Sequence, residues 1–354
     1  MRILVYEYAS GGGLAGRRLP VSLAREGGAM RAALAADLAA IGAHRIVTTA
    51  DARVGGGLPR GVDVVALPGG DRARAAALDR LIDAVDAVWL IAPETDRCLE
   101  HLAARVERRR KILLGSSSAA IRGASDKATL PSVLAAAGVS GPPTRVLGRR
   151  ANPTDAARRI EYPIVAKPAR GAGSDGVGLA RNPRELRLAV DRARAATRSG
   201  RVVLQPFIRG SAASVSLLAN GIDAVALAVN AQALGGSPSF AYRGGSTPFE
   251  HPRAAQAIGA AIAVCKAVRG LRGFVGVDVI LTGRDAVVIE INPRLTTAYL
   301  GVRAALRENV AALAMAACGG DLPASPPHPC RRVRFSASGR VWELDPERRV
   351  RGAA

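Results

Sequence analysis

Two neighbouring segments, Asp278-Val279-Ile280 and Val288-Ile289-Glu290-Ile291-Asn292-Pro293-Arg294, carry the strongest structural signal of this chain. Both are rich in β-branched residues, so each is predicted to form a strand. With a two-residue period, Asp278 and Ile280 share one face of the first strand, and Val288, Glu290 and Asn292 share one face of the second. Residues 283–285 between them, Gly-Arg-Asp, predict a hairpin turn. The two strands are therefore expected to pair with each other.

This pairing is expected to bring a set of oxygen ligands together. Asp278 then lies beside Glu290, with Asn292 and Arg294 at the open end of the hairpin. Two carboxylates and an amide oxygen suit Mg²⁺, with Mn²⁺ as an alternative, and leave coordination positions for phosphate oxygens. A solvated edge strand is the simpler interpretation, but charged faces seldom follow directly on a run of Val and Ile. The pattern therefore predicts a site for a metal ion and phosphate.

Composition predicts a globular protein. The chain has 354 residues, of which 49% are hydrophobic, and a mean hydropathy of +0.13. This length is enough for two or three domains. No apolar run reaches the length of a membrane span, and Met1 leads directly into a predicted strand, so we expect a cytoplasmic protein with no membrane partner. The scattered cysteines and histidines form no pattern typical of a zinc site or a disulfide framework.

The net charge of +21 raises the question of a nucleic-acid partner. The charge is spread along the chain and only 3% of residues are aromatic, so platforms for base stacking are scarce and no nucleic acid is expected. An anionic small-molecule substrate is compatible with the charge. Lysine is rare, at four of 50 basic residues. Two of the four, Lys127 and Lys167, are therefore candidates for phosphate binding, which suits a compact ammonium.

The first 116 residues alternate predicted strands and helices. Strands are expected at 2–8, 45–49, 62–67, 87–92 and 111–114. The alternation predicts a Rossmann-like domain with a parallel sheet. The first strand leads into Ser10-Gly11-Gly12-Gly13, at the edge where such sheets bind ligands. Candidate substrate contacts are therefore Glu7, Ser10, Gly11 and Gly12.

The same loop raises a dinucleotide-binding alternative. Gly11, Gly13 and Gly16 satisfy the G-x-G-x-x-G spacing. However, Pro20 interrupts the helix that should open there, and no acidic residue follows about 20 residues later at a strand end. A dehydrogenase is therefore the weaker interpretation.

A second glycine-rich loop lies further along the chain. The predicted strand 163–168 contains Lys167 and leads into residues 169–178, which include four glycines. Glycine lets backbone N–H groups approach an anion closely. An unpaired ammonium in an apolar strand would be costly, so Lys167 is predicted to bind phosphate.

The chain is expected to divide into four units of mixed α/β and α+β structure. Their bounds are 1–116, 117–201, 202–322 and 323–354. In the third unit we expect strands near 202–208, 214–218 and 224–229, an irregular loop at 242–248, and helices at 254–268 and 299–317. The fourth unit is expected to be a linker and C-terminal tail with a short hairpin at 331–345.

In their order, these motifs resemble those of the ATP-grasp ligases. Lys127 in Ser-Asp-Lys, Lys167 in Val-Ala-Lys-Pro, the second glycine loop and the Glu-Ile-Asn-Pro-Arg segment all fall within about residues 115–320. Each motif is weak by itself, but the order is specific for that superfamily. The resemblance implies a two-lobed ATP-grasp fold behind a Rossmann-like domain, with ATP and Mg²⁺ as cofactors. The resemblance is also compatible with a homodimer.

Three segments also resemble the tyramine–glutamate ligases of methanofuran biosynthesis: residues 4–13, Tyr242-Arg243-Gly244-Gly245, and the Leu-Thr-Thr after Arg294. This resemblance implies a ligase that joins glutamate to tyramine, or to tyrosine for a related one-carbon carrier. It adds Tyr242, Arg243 and Thr296 to the candidate substrate contacts. Another ATP-grasp amino-acid or peptide ligase, and a nucleotide-binding module without turnover, are the alternatives.

The ATP-grasp resemblance implies a role for each matched residue. Arg294 and Lys167 would be catalytic, by stabilising the transferred phosphoryl group. Asp278, Glu290 and Asn292 would hold Mg²⁺. The residues in contact with ATP would be Lys127, Lys167, Gly171, Gly173, Ser174, Gly176, Gln205, Pro206, Phe207 and Ile208.

Two positions depart from the family pattern. Gln205 stands where many members carry Glu, and Ser211-Ala212-Ala213 lacks the carboxylate that often binds ribose. The alternatives are that Asp223 or another side chain replaces that carboxylate, or that the ribose is held loosely. The choice of nucleotide is therefore predicted less directly than the phosphate chemistry.

Overall fold

The computed structural model describes residues 1–55, 57–236 and 240–344. The amino-terminal strands are β1 (Arg2–Glu7), β2 (Arg45–Ala50), β3 (Asp63–Ala66), β4 (Ala87–Ile91) and β5 (Ile112–Leu113). They form a parallel sheet in the order β3-β2-β1-β4-β5. The helices between them are α1 (Val21–Ala40), α2 (Asp71–Asp83) and α3 (Cys98–Arg108). The predicted Rossmann-like domain is confirmed.

The middle part of the chain is built on a four-stranded antiparallel sheet. Its elements are α4 (Ser118–Ala124), α5 (Leu130–Ala137), β6 (Arg145–Leu147), α6 (Pro153–Ala156), β7 (Ile164–Pro168), β8 (Gly178–Ala180), α7 (Pro183–Ala195) and β9 (Val202–Pro206). The strand order is β6-β9-β7-β8. Asn182 caps α7 by accepting a hydrogen bond from the Glu185 N–H at 2.9 Å. Lys167 lies near the carboxyl end of β7, just ahead of the second glycine loop.

The last part contains a seven-stranded antiparallel sheet. Its elements are β10 (Ser211–Asn220), β11 (Ala224–Leu234), β12 (Tyr242–Thr247), α8 (Ala254–Ala267), β13 (Arg272–Leu281), β14 (Ala286–Asn292), α9 (Tyr299–Ala305), α10 (Val310–Gly319), β15 (Val333–Ser336) and β16 (Val341–Glu343). The strand order is β14-β13-β10-β11-β12-β15-β16. The predicted pairing of β13 with β14 is confirmed.

One hydrophobic core joins the amino-terminal domain to the seven-stranded sheet. Met30 of α1 belongs to the same cluster of buried side chains as Phe274 and Tyr299. The Tyr299 hydroxyl donates to the Asp37 carboxylate at 2.5 Å, and Arg303 donates to the same carboxylate at 2.8 Å. The position of α1 relative to the seven-stranded sheet is therefore set by packing and by hydrogen bonds together.

The segment expected to be an irregular loop at 242–248 is in fact the strand β12. It lies between β11 and β15. A side chain at Gly244 would overlap the Phe335 carbonyl, and one at Gly245 would overlap the Ala231 carbonyl. Gly244 and Gly245 are therefore needed for close approach of the neighbouring strands.

The helix expected at 299–317 is two helices, α9 and α10. Asn309 starts the second one by accepting a hydrogen bond from the Ala312 N–H at 3.0 Å. The structure also contains the single turn α6 and the short helix α4. Strands β15 and β16 form the expected C-terminal hairpin, of which residue 345 lies outside the described residues. None of the described helices is long and apolar enough to span a bilayer.

Candidate active site

The β13–β14 hairpin places its carboxylates side by side. Asp278 is the cross-strand partner of Glu290. Next to this pair the register shifts by one residue, which is a β-bulge. The bulge turns Val288 into the core with α8, whereas Ile289, Glu290 and Asn292 line a cleft. The prediction that Val288 shares a face with Glu290 and Asn292 is therefore wrong.

Asp278 is a half-buried carboxylate close to a second negative charge. It accepts hydrogen bonds from the side-chain amides of Gln232 at 2.9 Å and Asn292 at 3.2 Å. Burial, and then the charge of Glu290, raise the pKa of Asp278 to about 7. Bringing a cation to this pair would favour the ionised carboxylates.

The oxygen atoms available here fit a hard divalent cation. In the part of the chain that the structure describes, no three His, Cys, Asp or Glu side chains form a metal site. The side chains that could hold such a cation are instead the pair Asp278 and Glu290 with the amide of Asn292, which presents its nitrogen to Asp278 and would present its oxygen after a half-turn. Mg²⁺ suits such a set, because it commonly takes few protein ligands and keeps water or phosphate oxygens in its other positions.

Two lysines complete the charged part of the cleft. The Lys127 ammonium donates to Glu290 Oε1 at 2.7 Å and to the Gly171 carbonyl at 3.1 Å. The Lys167 side chain is buried, and its ammonium forms no hydrogen bond or ion pair with any described residue. Burial, and then the charge of Lys127, lower the pKa of Lys167 to about 8. An unpaired ammonium in this position is well suited to an anionic ligand.

The loop after β7 presents unpaired backbone donors. The N–H groups of Gly171, Ala172, Gly173 and Ser174 donate to no group within the described residues. Gly173 and Ser174 have positive φ angles of 66° and 64°. Consecutive free N–H groups in such a conformation form a concave surface for an anion. Gly176 has a different role, because a Cβ there would lie 2.6 Å from Ala196 Cβ, which makes this glycine a packing residue.

The cleft lies between the four-stranded and seven-stranded sheets and is lined from both sides. The predicted residues that line it are Lys127, Lys167, Gly171, Gly173, Ser174, Gln205, Pro206, Phe207, Ile208, Tyr242, Asp278, Glu290, Asn292, Arg294 and Thr296. Gln205 donates its side-chain amide to the Thr144 hydroxyl at 2.8 Å. Asp223 pairs with Lys266 at 2.8 Å away from the cleft, so it does not replace the missing ribose carboxylate.

The amino-terminal domain reaches the site through side chains that the sequence did not reveal. Arg294 donates to both oxygens of Glu94, at 2.7 and 3.0 Å, and Glu94 is buried just after β4. Glu26 of α1 lines the cleft and accepts a hydrogen bond from the Thr297 hydroxyl. The position of Glu94 after a central parallel strand was a usable signal. Glu26 lies within a helix, and nothing near it in the sequence singles it out.

Several predicted substrate contacts do not line the cleft. The Glu7 carboxylate accepts hydrogen bonds from the N–H groups of Ala9, at 3.0 Å, and Ser10, at 2.5 Å. It is therefore a buried group that holds its own loop, with Ser10, Gly11 and Gly12 buried beside it. Arg243 is exposed on β12. Of the predicted substrate contacts, only Tyr242 and Thr296 lie in the cleft.

The chain is similar to proteins of one superfamily. The family models that match are "pre ATP-grasp 3 domain", over residues 44–121, and "ATP-grasp domain", over residues 124–298. A tyramine–L-glutamate ligase of Methanocaldococcus jannaschii is 36% identical over 101 residues, which cover 28% of this chain and 32% of the ligase. The chain thus spans about a third of the length of that curated relative.

Two solved structures extend the likeness to nearly the whole chain. A protein described as an ATP-grasp superfamily member, from Archaeoglobus fulgidus, is 26% identical with a TM-score of 0.69, covering 94% of this chain and 92% of that one. The biotin carboxylase domain of Hydrogenobacter thermophilus 2-oxoglutarate carboxylase, in complex with MgADP, is 16% identical with a TM-score of 0.73, covering 94% and 73%. The chain therefore belongs to the ATP-grasp superfamily, with a pre-ATP-grasp domain ahead of its ATP-grasp domain.

Proposed function

We propose that this chain is an ATP-dependent ligase that joins a carboxylate to an amine through an acyl phosphate. The observation that carries the proposal is the cleft in which Asp278 and Glu290 lie with Lys127 and Lys167, next to a loop of free N–H groups. We further propose glutamate as the acid and tyramine, or tyrosine, as the amine, in methanofuran-type cofactor biosynthesis. The likeness to a tyramine–L-glutamate ligase supports this choice.

The proposed chemistry explains why phosphate-binding groups lie beside a substrate pocket. A carboxylate reacts poorly with an amine, because the leaving group would be oxide. Transfer of the γ-phosphoryl group of ATP to the carboxylate gives an acyl phosphate and ADP. The amine then attacks the acyl carbon, phosphate leaves, and a proton is lost from nitrogen as the amide forms.

Each part of the cleft has a role in this proposal. Lys127, Lys167 and the free N–H groups of the loop bind the phosphates. The segment from Gln205 to Ile208 meets the adenine, with the Phe207 ring as an apolar surface. Asp278, Glu290 and Asn292 hold Mg²⁺, which supplies positive charge to the phosphates when bound. Arg294, oriented by its double hydrogen bond to Glu94, faces the transferred phosphoryl group.

Most of the work assigned to these residues is electrostatic. The transferring group and the acid are both anions, so they must be held in line while their charge is neutralised. Removal of one preorganised group of this kind costs on the order of 3 kcal/mol in the transition state. We therefore expect Glu290→Gln and Arg294→Ala to lower turnover by about a hundredfold or more without unfolding the chain.

The test is an assay of the full chain with ATP, Mg²⁺ and glutamate, plus either tyramine or tyrosine. We expect ADP release that depends on both substrates, and a product whose mass is the sum of the two minus water. Glu161→Gln is the control, because Glu161 is exposed and does not line the cleft. Wild-type activity in Glu290→Gln and Arg294→Ala would refute the assigned roles.

Two other outcomes separate the alternatives. ADP release with a different acid and amine would retain the ligase and replace its substrates. Binding of ATP without ADP release, across a panel of acids and amines, would indicate a nucleotide-binding module and contradict the proposal.

A further inference from the structure

The carboxylates near the cleft differ in what offsets their charge. Glu290 pairs with Lys127 at 2.7 Å, Glu94 pairs with Arg294 at 2.7 Å, and Asp278 accepts from two side-chain amides. No side-chain amide among the described residues donates to Glu26, and its charge acts on Arg294 only at a distance greater than that of an ion pair. Within the described part of the chain, its carboxylate is in no ion pair and accepts a hydrogen bond from the Thr297 hydroxyl.

Glu26 is also held in a fixed position. It lies on α1. About three turns further along the same helix, Asp37 accepts hydrogen bonds from Tyr299 at 2.5 Å and Arg303 at 2.8 Å. Because α1 shares its core with the seven-stranded sheet, Glu26 keeps its place at the cleft. A carboxylate placed in this way is organised for a ligand before the ligand arrives.

The surroundings of Glu26 select the charge of that ligand. Tyr242, Thr296 and Thr297 line the same cleft and are neutral. Burial, followed by the charges of Glu26 and Asp278, raises the pKa of Tyr242, so its hydroxyl keeps its proton. The cation of this region, Arg294, already has Glu94 as its partner. A positively charged group with several hydrogen-bond donors would therefore complement this end of the cleft.

We infer that Glu26 binds a substrate ammonium group and makes the enzyme specific for substrates that carry one. This inference rests on the proposed ligase function and adds a specificity-determining residue to it. The ammonium has two possible sources, the α-ammonium of the amino-acid substrate and the ammonium form of the amine substrate. Both would form the same charge-assisted hydrogen bonds to the carboxylate.

The test compares each substrate with its analogue that lacks the amino group. Binding of glutamate, glutarate, tyramine and 4-ethylphenol is measured by calorimetry on the full chain loaded with Mg²⁺ and a non-hydrolysable ATP analogue. The wild-type protein is expected to prefer the ammonium compound of at least one pair by about tenfold or more. Glu26→Gln, which keeps an acceptor for the Thr297 hydroxyl, is expected to abolish that preference. Glu161→Gln is the charge-matched control and should retain it.

The two pairs of compounds identify the source of the ammonium. Loss of preference only for glutamate over glutarate assigns Glu26 to the α-ammonium, and loss only for tyramine over 4-ethylphenol assigns it to the amine substrate. The inference is overturned if the wild-type protein shows no preference in either pair, or if Glu26→Gln retains it. Failure of the proposed function is seen separately, as absence of ADP release in the wild-type protein, and the binding ratios still decide the role of Glu26.

Discussion

Two glycine-rich loops follow the carboxyl ends of strands in this chain, and they have opposite environments. The loop after β1, Ala9–Gly13, is buried throughout. Its N–H groups at Ala9 and Ser10 are taken by the Glu7 carboxylate. The loop after β7 lines the cleft, and its N–H groups from Gly171 to Ser174 are free of described acceptors. Glycine content alone therefore does not indicate which loop binds an anion.

The residue at the end of each strand explains the difference. Glu7 is an anion, so it accepts hydrogen bonds from the N–H groups of Ala9 and Ser10, which are then not available to a ligand. Lys167 is a cation without a described partner, so it leaves the donors of its loop available and adds a positive charge beside them. The sign of the charge at the strand end is thus a better indicator of an anion site than the glycines that follow it.

The sharpest way to test this comparison is Lys167→Met, which keeps the bulk of the side chain and removes its charge. We expect ATP turnover to fall by about a hundredfold or more, equivalent to on the order of 3 kcal/mol. The free energy of unfolding should stay the same or rise, because an unpaired buried ammonium is removed. Steady-state ADP release and urea denaturation of the same preparation measure both quantities. Retained turnover would mean that Lys167 is only a buried core residue.

The pH dependence of stability tests the same side chain without a substrate. Burial lowers the pKa of Lys167 from 10.5 in the unfolded chain to about 8 in the folded one. Between these values the unfolded state binds more protons, so this group makes the free energy of unfolding increase as pH rises from about 8 to 10.5. Below about pH 8 the Lys167 ammonium is charged in both states, so the full cost of burying it lowers the free energy of unfolding. Urea denaturation across the window should show a smaller increase for Lys167→Met than for the wild-type protein, and equal slopes would contradict the buried, unpaired position.

The features that could be predicted from the sequence depend on residues close together in the chain, and those that could not depend on residues far apart. The Asp278 and Glu290 pair was predictable because both strands are adjacent in the chain and their turn is visible. The β-bulge that turns Val288 into the core was not predictable, because no residue type in the sequence marks it. The Arg294–Glu94 pair joins residues 200 positions apart, and β12 is a strand partly because β15 covers its outer edge. Such features arise from tertiary packing and leave little local signal.

Gly27→Ala should destabilise the loop after β1, because it displaces the Glu7 carboxylate that holds this loop. A Cβ at Gly27 would overlap the Glu7 carboxylate, which cannot move without releasing the N–H groups of Ala9 and Ser10. We expect a loss of about 2–3 kcal/mol in the free energy of unfolding, measured by urea denaturation. Gly28→Ala is the matched control in the same helix, because its Cβ would lie 3.7 Å from the nearest atom. That variant should gain up to about 1 kcal/mol from helix propensity, and an equal loss in both would show that Glu7 is not the cause.

The smallest effects are expected from alanine at one glycine with positive φ in each loop. Gly12 has a φ of 91° and Gly173 a φ of 66°, so both substitutions strain the backbone by about 1–2 kcal/mol. A Cβ at Gly12 would also lie 3.2 Å from Leu67 Cβ, whereas a Cβ at Gly173 would meet nothing within 4 Å. Thermal or urea unfolding should therefore show a larger loss for Gly12→Ala. Gly173→Ala should lose about 1 kcal/mol and raise the KM for ATP, because it disturbs the free N–H groups. An unchanged KM in Gly173→Ala, or a raised KM in Gly12→Ala, would reverse the assignment of the two loops.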